Sequence, residues 1–168
     1  LPDTYIGSSI EEEKELRIFE NGKIIKKTIK WVPGLFKCFD EIIVNAFDQY
    51  VRTNQPGVSV EYPVKNIWIT VNPDTGEIQV KNDGVGIKVE IHEKEKVWIP
   101  ELIFGHLLTS GNYDKKEKVT GGKNGYGGKL ANIFSKQFII ETVDNTLHKK
   151  YVQTFRNNMS EKDKPKIT

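Results

Sequence analysis

Five glycines fall within the eight residues Gly121–Gly128, inside the run Thr120-Gly121-Gly122-Lys123-Asn124-Gly125-Tyr126-Gly127-Gly128-Lys129-Leu130. A simple turn does not need that many, so the density implies backbone that must approach something closely. The run opens an apolar helical pattern through Leu130, Ile133 and Phe134. Free N–H groups at a helix N-terminus bind phosphate oxygens. Lys129 lies in the first turn, where the helix dipole disfavours a cation unless an anion sits beside it. A Walker A loop ending at Lys129 would require glycine at Lys123 and Ser or Thr at Leu130. A dinucleotide fingerprint built on Gly125-Tyr126-Gly127 would require glycine or alanine at Leu130. The run therefore reads as a phosphate-binding loop of neither common type.

The surrounding pattern says what fold must present this loop. Asn21-Gly22 between two runs marks a hairpin over Leu16–Trp31, because this pair tolerates the positive φ values of a tight turn. A second hairpin spans Lys65–Asn82, turning at Pro73-Asp74-Thr75-Gly76. A third joins Gln137–Val143 to Tyr151–Arg156 near Asp144-Asn145. Helical periodicity is strongest after Pro33-Gly34, where Leu35, Phe36, Phe39, Ile42, Ile43, Ala46, Phe47 and Tyr50 form one stripe and are expected to face the core. A second helix is expected over Pro100–Leu108 with Pro100 in its first turn. The third starts near Gly127. Hairpins interspersed with helices predict an α+β, two-layer fold: a mixed, mostly antiparallel sheet with helices on one face. The charged runs Glu11–Glu15 and Lys115–Lys118 are expected to be solvated turns or loop tips.

Composition narrows the class. A chain of 168 residues suits one domain, and its 10% aromatic content is too high for a disordered chain. No apolar run approaches the ~18 residues of a membrane helix, and no basic-then-apolar leader opens the sequence. A single cysteine, Cys38, cannot form an internal disulfide or a zinc cluster; it is expected to be inert and near the core, in a reducing compartment. The formal net charge of +2 argues neither for nor against nucleic acid. His92, His106 and His148 show no metal-ligand spacing.

Three more features could carry chemistry. On the Leu35–Arg52 helix, Glu41, Asn45, Asp48 and Arg52 cluster opposite the apolar stripe, with Asp40 on the flank. This is either a solvated face or a carboxylate base four residues from an amide able to bind a metal. Asn82-Asp83-Gly84-Val85-Gly86 ends a strand, as a turn or as a loop in which Asp83 accepts from an exocyclic amine. Leu107-Leu108-Thr109-Ser110-Gly111-Asn112-Tyr113 follows the second helix, as a helix-ending turn or as sugar and phosphate contacts. Taken in order, the features supply the parts a magnesium nucleotide needs.

That ordered set resembles the GHKL ATPases, which share the Bergerat nucleotide-binding fold. Within them, Pro2-Asp3-Thr4-Tyr5-Ile6-Gly7-Ser8, Val32-Pro33-Gly34-Leu35, Phe39-Asp40-Glu41-Ile42-Ile43-Val44-Asn45-Ala46, Leu107-Leu108-Thr109-Ser110 and Val119 through Lys129 resemble the ATPase region of eukaryotic-type, type IIA DNA topoisomerase II, similar enzymes being carried by large DNA viruses. The likeness runs from about Pro2 to about Met159.

The resemblance implies ATP and Mg²⁺ as cofactors, Glu41 as general base, and Asn45 as the protein ligand to magnesium. It implies that Asp83 binds adenine with Gly86 in the same loop, and that Ser110, Gly111 and Asn112 lie near ribose and phosphate. Gly122, Lys123, Asn124, Gly125, Tyr126, Gly127 and Gly128 would wrap the phosphates, with Lys129 as charge partner. Three positions depart from the family pattern: Asp83 where eukaryotic members often have Asn, Lys123 for Arg, and Gly111 for a hydroxylated residue. The resemblance further implies a homodimer, double-stranded DNA as partner of the full-length enzyme, no membrane, and a nuclear or viral-factory location. It also leads us to expect a domain truncated at both ends, lacking the strap and the transducer. The piece alone would then bind ATP with weak or no turnover and would not cleave DNA. Another GHKL ATPase and a non-catalytic nucleotide-binding or interaction module are the alternatives; a base at Glu41 argues against the module.

Overall fold

The computed structural model describes residues 3–106 and 127–168. It divides into two compact units, one ending at Asp40 and the other running from Glu41 to Thr168.

The first unit holds a short helix α1 (Asp3–Ile6) and a hairpin of β1 (Glu12–Glu20) and β2 (Lys23–Trp31). Asn21 and Gly22 make the turn with φ of 52° and 77°, left-handed values that asparagine tolerates and glycine, lacking a Cβ, adopts freely. The hairpin begins earlier than expected, because Glu12–Glu15 belong to β1 rather than to a turn. Their charges are satisfied across the ladder: Lys26 meets Glu15 at 3.1 Å and Lys30 meets Glu13 at 3.9 Å. These pairs are exposed and contribute little stability. Leu16, Ile18, Ile29 and Trp31 are half-buried and share one face, while Phe19 and Ile24 face each other in the register on the exposed face.

Helix α2 (Pro33–Thr53) begins in the first unit and continues through the second. The second unit adds β3 (Ile67–Asn72) and β4 (Glu77–Asn82), α3 (Ile99–Gly105), α4 (Gly127–Ile133), and a four-stranded sheet. That sheet contains β5 (Gln137–Asp144), β6 (Lys149–Arg156), β7 (Glu161–Lys162) and β8 (Lys166–Ile167), with both short strands pairing β6. Every strand pair among the described residues is antiparallel. The expected α+β architecture of antiparallel hairpins and helices is the one observed.

The core follows the two-residue period of β5 and β6. Ile140, Thr142 and Asp144 alternate inward on β5, and Tyr151, Gln153 and Phe155 on β6, whereas Ile139 and Val143 point to solvent. Helices α3 and α4 cover the inward face. Phe155 is fully buried, and a Cβ on Gly105 of α3 would overlap its ring. α3 is pinned by a buried polar chain: the Tyr151 hydroxyl donates to Gln153 Oε1 at 2.7 Å, Gln153 Nε2 donates to Glu101 Oε2 at 3.1 Å, and Lys162 Nζ meets Glu101 Oε1 at 2.7 Å. Burial, with the negative charge of Glu101 nearby, pushes the Tyr151 phenol pKa well up, so its proton stays in place.

Two expectations about helices need correction. α3 starts at Ile99 and stops at Gly105, not Leu108; His106 is already extended, with φ −118° and ψ 115°. On α2 the apolar stripe is only partly covered: Leu35, Phe36, Phe47 and Tyr50 are exposed, while Cys38, Ala46 and Thr53 are buried. The C-terminal end of the helix is fastened by hydrogen bonds to Val64. Thr53 Oγ1 accepts from Val64 N–H at 3.1 Å and Asn54 Nδ2 donates to Val64 O at 2.9 Å. Among the described residues no helix is long and apolar enough to cross a membrane.

Candidate functional site

The site is organised by one face of α2. Glu41, Asn45, Gln49 and Thr53 recur every fourth residue, so they line a single side of the helix. Each meets a different segment of the second unit. Gly127, at the start of α4, lies against Glu41: a Cβ built there would overlap the Oε2 atom and come within 2.9 Å of the carboxyl carbon. At Gly128 a Cβ would sit 2.6 Å from the Phe104 ring and 3.5 Å from Asn45 Nδ2. These two glycines are required by close approach, which allows the backbone of α4 to descend onto the acid–amide pair. One turn further along α2, Gln49 Nε2 donates to Val85 O at 2.9 Å and so fastens the Asn82–Gly86 loop to the same face. Thr53 then holds Val64, as described above.

The Asn82–Gly86 loop is also tied from its other side. Asp83 Oδ1 accepts from the N–H groups of Lys65 (2.8 Å) and Asn66 (2.9 Å), and Oδ2 accepts from Asn66 Nδ2 at 2.8 Å. Those hydrogen bonds, Asn66 first, hold the carboxyl down to a pKa of about 2. The loop's far end rests on β5. Gly86 packs against Val143 O and Thr142 Oγ1, and Ile87 N–H donates to Thr142 Oγ1 at 2.8 Å. Asp144, two residues on, is buried. Desolvation opposes its charge, but N–H donors from Val89, Leu147 and Thr146 overcome this and lower its pKa.

The sequence-predicted residues divide as follows. Glu41, Asn45, Gly127 and Gly128 come together, with Glu41 and Asn45 half-buried. Asp83 and Gly86 share the loop that Gln49 joins to α2, but the Asp83 carboxylate is engaged by Lys65 and Asn66. Lys129 lies in α4 and is only 4% exposed; burial pushes its ammonium pKa down. Asp40 pairs with Lys37 at 3.2 Å, and Arg52 donates to Gln49 Oε1. Asp48 is exposed. Ser110, Gly111, Asn112, Gly122, Lys123, Asn124, Gly125 and Tyr126 lie outside the described residues, as do Thr109 and Tyr113.

Sequence reasoning missed Gln49 and Thr142. Gln49 could have been found by extending the four-residue spacing from Glu41 and Asn45. Thr142 could have been found as a polar residue on the inward phase of β5. Among the described residues no group of three His, Cys, Asp or Glu is placed to hold a metal ion.

This arrangement presents a carboxylate and an amide on one helix, a glycine-led helix resting on both, and an acidic loop at the end of a strand. Residues 32–159 match the family described as histidine kinase-, DNA gyrase B-, and HSP90-like ATPase. The DNA topoisomerase 2 of Candida glabrata is 56% identical over 170 residues, covering 99% of this chain and 12% of that protein. The DNA topoisomerase 2 of Acanthamoeba polyphaga mimivirus is 48% identical over 174 residues, covering 99% of this chain and 13% of that protein. The crystal structure of the ATPase region of Saccharomyces cerevisiae topoisomerase II superposes with a TM-score of 0.84 at 53% identity, covering 99% of this chain and 43% of that one. The chain thus spans about an eighth of the length of the curated relatives it matches. A family match over most of the chain, and a fold shared with a topoisomerase II ATPase region, agree with the site geometry: the chain belongs to the histidine kinase-, DNA gyrase B-, and HSP90-like ATPase family.

Proposed function

We propose that this chain binds ATP with magnesium on the α2 face and hydrolyses it, as the ATPase module of a type IIA DNA topoisomerase. The observation that carries the reading is the meeting of Gly127 with the Glu41 carboxylate. A glycine-led helix start that descends onto an acid brings phosphate-binding backbone and a proton acceptor to the same place.

In this reading Glu41 orients the attacking water and takes its proton. Asn45, one turn further along, offers the amide oxygen to the metal. The half-buried Asn45 side chain beside Gly128 suits a ligand shared with phosphates. Magnesium, when bound, would supply charge neutralisation across the phosphates. Gly127 and Gly128 are the end of the phosphate wrap begun by Gly122, Lys123, Asn124, Gly125 and Tyr126, and Lys129 supplies a cation at its base. The base of the nucleotide lies along the Asn82–Gly86 loop. There Asp83 fixes the loop's shape through Lys65 and Asn66 as well as lining the adenine, and Ser110, Gly111 and Asn112 lie toward ribose and phosphate. Phosphoryl transfer depends mainly on such positioning and charge placement.

At the level of the whole protein, nucleotide binding would close a homodimeric gate around a DNA duplex, and hydrolysis would reset it, in a nuclear or viral-factory setting. The relatives' names and the 99% coverage of this chain support that assignment.

A nucleotide titration tests the binding half. In the intact protein, a non-hydrolysable ATP analogue with Mg²⁺ should raise the thermal midpoint by mass action, about 2.7 kcal/mol at a hundredfold excess over Kd. No shift at millimolar nucleotide contradicts the proposal.

A further inference from the structure

α4 is tied to α3 by a side-chain hydrogen bond. Asn132, 1% exposed, donates from Nδ2 to the backbone carbonyl of Phe104 at 2.9 Å. Phe104 lies in the last turn of α3, where carbonyls lack intrahelical partners. Its ring supports Gly128 from the same seam, where a Cβ would sit 2.6 Å away, and meets Phe138 of β5 at 5.9 Å between centroids. The far end of α3 is anchored to β6 through Glu101, Gln153 and Tyr151. α3 is therefore a strut fixed to the sheet at one end and to α4 at the other.

The amide is an expensive choice for mere packing. Asn132 Oδ1 is buried with no donor among the described residues, a cost that an apolar side chain of similar size would avoid. Sequences break such local rules most often where function depends on the geometry.

We propose that Asn132 and Phe104 form a positioning clamp that sets the height of Gly127 and Gly128 above Glu41 and Asn45, and hence the rate of hydrolysis rather than the affinity for nucleotide. The clamp rests on the reading of Glu41 and Asn45 given above. Neither clamp residue is a catalytic residue; both act through α4.

The test uses the intact protein and steady-state ATP hydrolysis. Asn132→Ala should lower kcat about ten-fold or more, since a misplacement near 1 Å can cost a hundredfold, with KM within about three-fold of the parent. Tyr151→Phe, which removes one buried hydrogen bond on β6 but leaves the Gln153 and Lys162 contacts to Glu101 of α3 in place, gives the measure of simple destabilisation: it should lower the thermal midpoint and leave kcat near normal. Combining Asn132→Ala with Phe104→Leu should cost little more than the worse single change, because the two act as one unit. A kcat for Asn132→Ala no lower than for Tyr151→Phe, or a loss carried by KM alone, overturns the clamp. Should Asn132→Ala not fold, Phe104→Leu, which keeps an apolar side chain, decides alone: lost kcat supports the clamp and retained kcat overturns it. Glu41→Gln in the same assay separates the two claims. Turnover surviving there overturns the reading of Glu41; turnover lost there, with normal kcat in Asn132→Ala, overturns only the clamp.

Discussion

Gly127→Ala should lower activity more than stability. The added Cβ would overlap Glu41 Oε2 and lie 2.9 Å from its carboxyl carbon and 3.2 Å from its Cβ. Ordinary carbon–carbon contact begins at about 3.5–4.0 Å, so the carboxylate or the start of α4 must move by about 1 Å. Glu41 ends in a flexible side chain, so the carboxylate moves first and the strain stays small. Overpacking in a tight interior typically costs about 1–3 kcal/mol, and the gain from alanine in a helix interior does not apply to Gly127, the first residue of α4. The net change in stability is therefore at most about 3 kcal/mol. Turnover should fall about ten- to a hundredfold, because the base would no longer stand where the water must be. Phosphate release at saturating ATP, beside a thermal melt of the same preparation, measures both. A variant with normal turnover would mean that Glu41 and Gly127 do not share the reacting centre.

Other consequences follow from the same structure. Phe155→Ala empties a fully buried aromatic site under α3, and should cost about 3–5 kcal/mol in denaturant-induced unfolding. Asp83→Ala should weaken ATP more than inorganic phosphate in a binding titration; equal losses would remove Asp83 and its loop from the base end of the site. Asp83 also sets a pH dependence. Its folded pKa of about 2 lies below the unfolded value near 3.9, so its contribution is present above about pH 4 and is lost as pH falls toward 2. Asp83→Asn should flatten the acid limb of a stability–pH curve in that window, and an unchanged limb would show that Lys65 and Asn66 do not stabilise the charge.

The fold was legible where local chemistry decides it. Asn21-Gly22 fixes a hairpin, and the two-residue alternation of Phe138, Ile140, Tyr151 and Phe155 fixes which face of β5–β6 is covered. The packing of α2 was not legible. Periodicity shows which residues are apolar, but the partners of Gln49 and Thr53 come from Val85 and Val64, 36 and 11 residues away. Those long-range hydrogen bonds hold the polar side of the helix, and Phe47 and Tyr50 are exposed.

The site divides along the same line. Glu41 and Asn45 stand four apart on a helix, which sequence reveals. That Asp83 is engaged by its own loop, and that Asn132 reaches Phe104 from 28 residues away, depend on tertiary geometry. The early end of α3 is a conflict of the same kind: helical periodicity continued toward Leu108, but the backbone is already extended at His106.

Whether Glu41 is the base for ATP hydrolysis is decided by a paired measurement of nucleotide binding and turnover on Glu41→Gln. The amide keeps the size and hydrogen-bonding reach of the side chain but cannot take a proton from water. The intact variant should retain the parent's nucleotide-induced thermal shift while its turnover falls at least about a hundredfold, the usual contribution of a general base. Turnover near that of the parent, with nucleotide binding intact, would contradict that role.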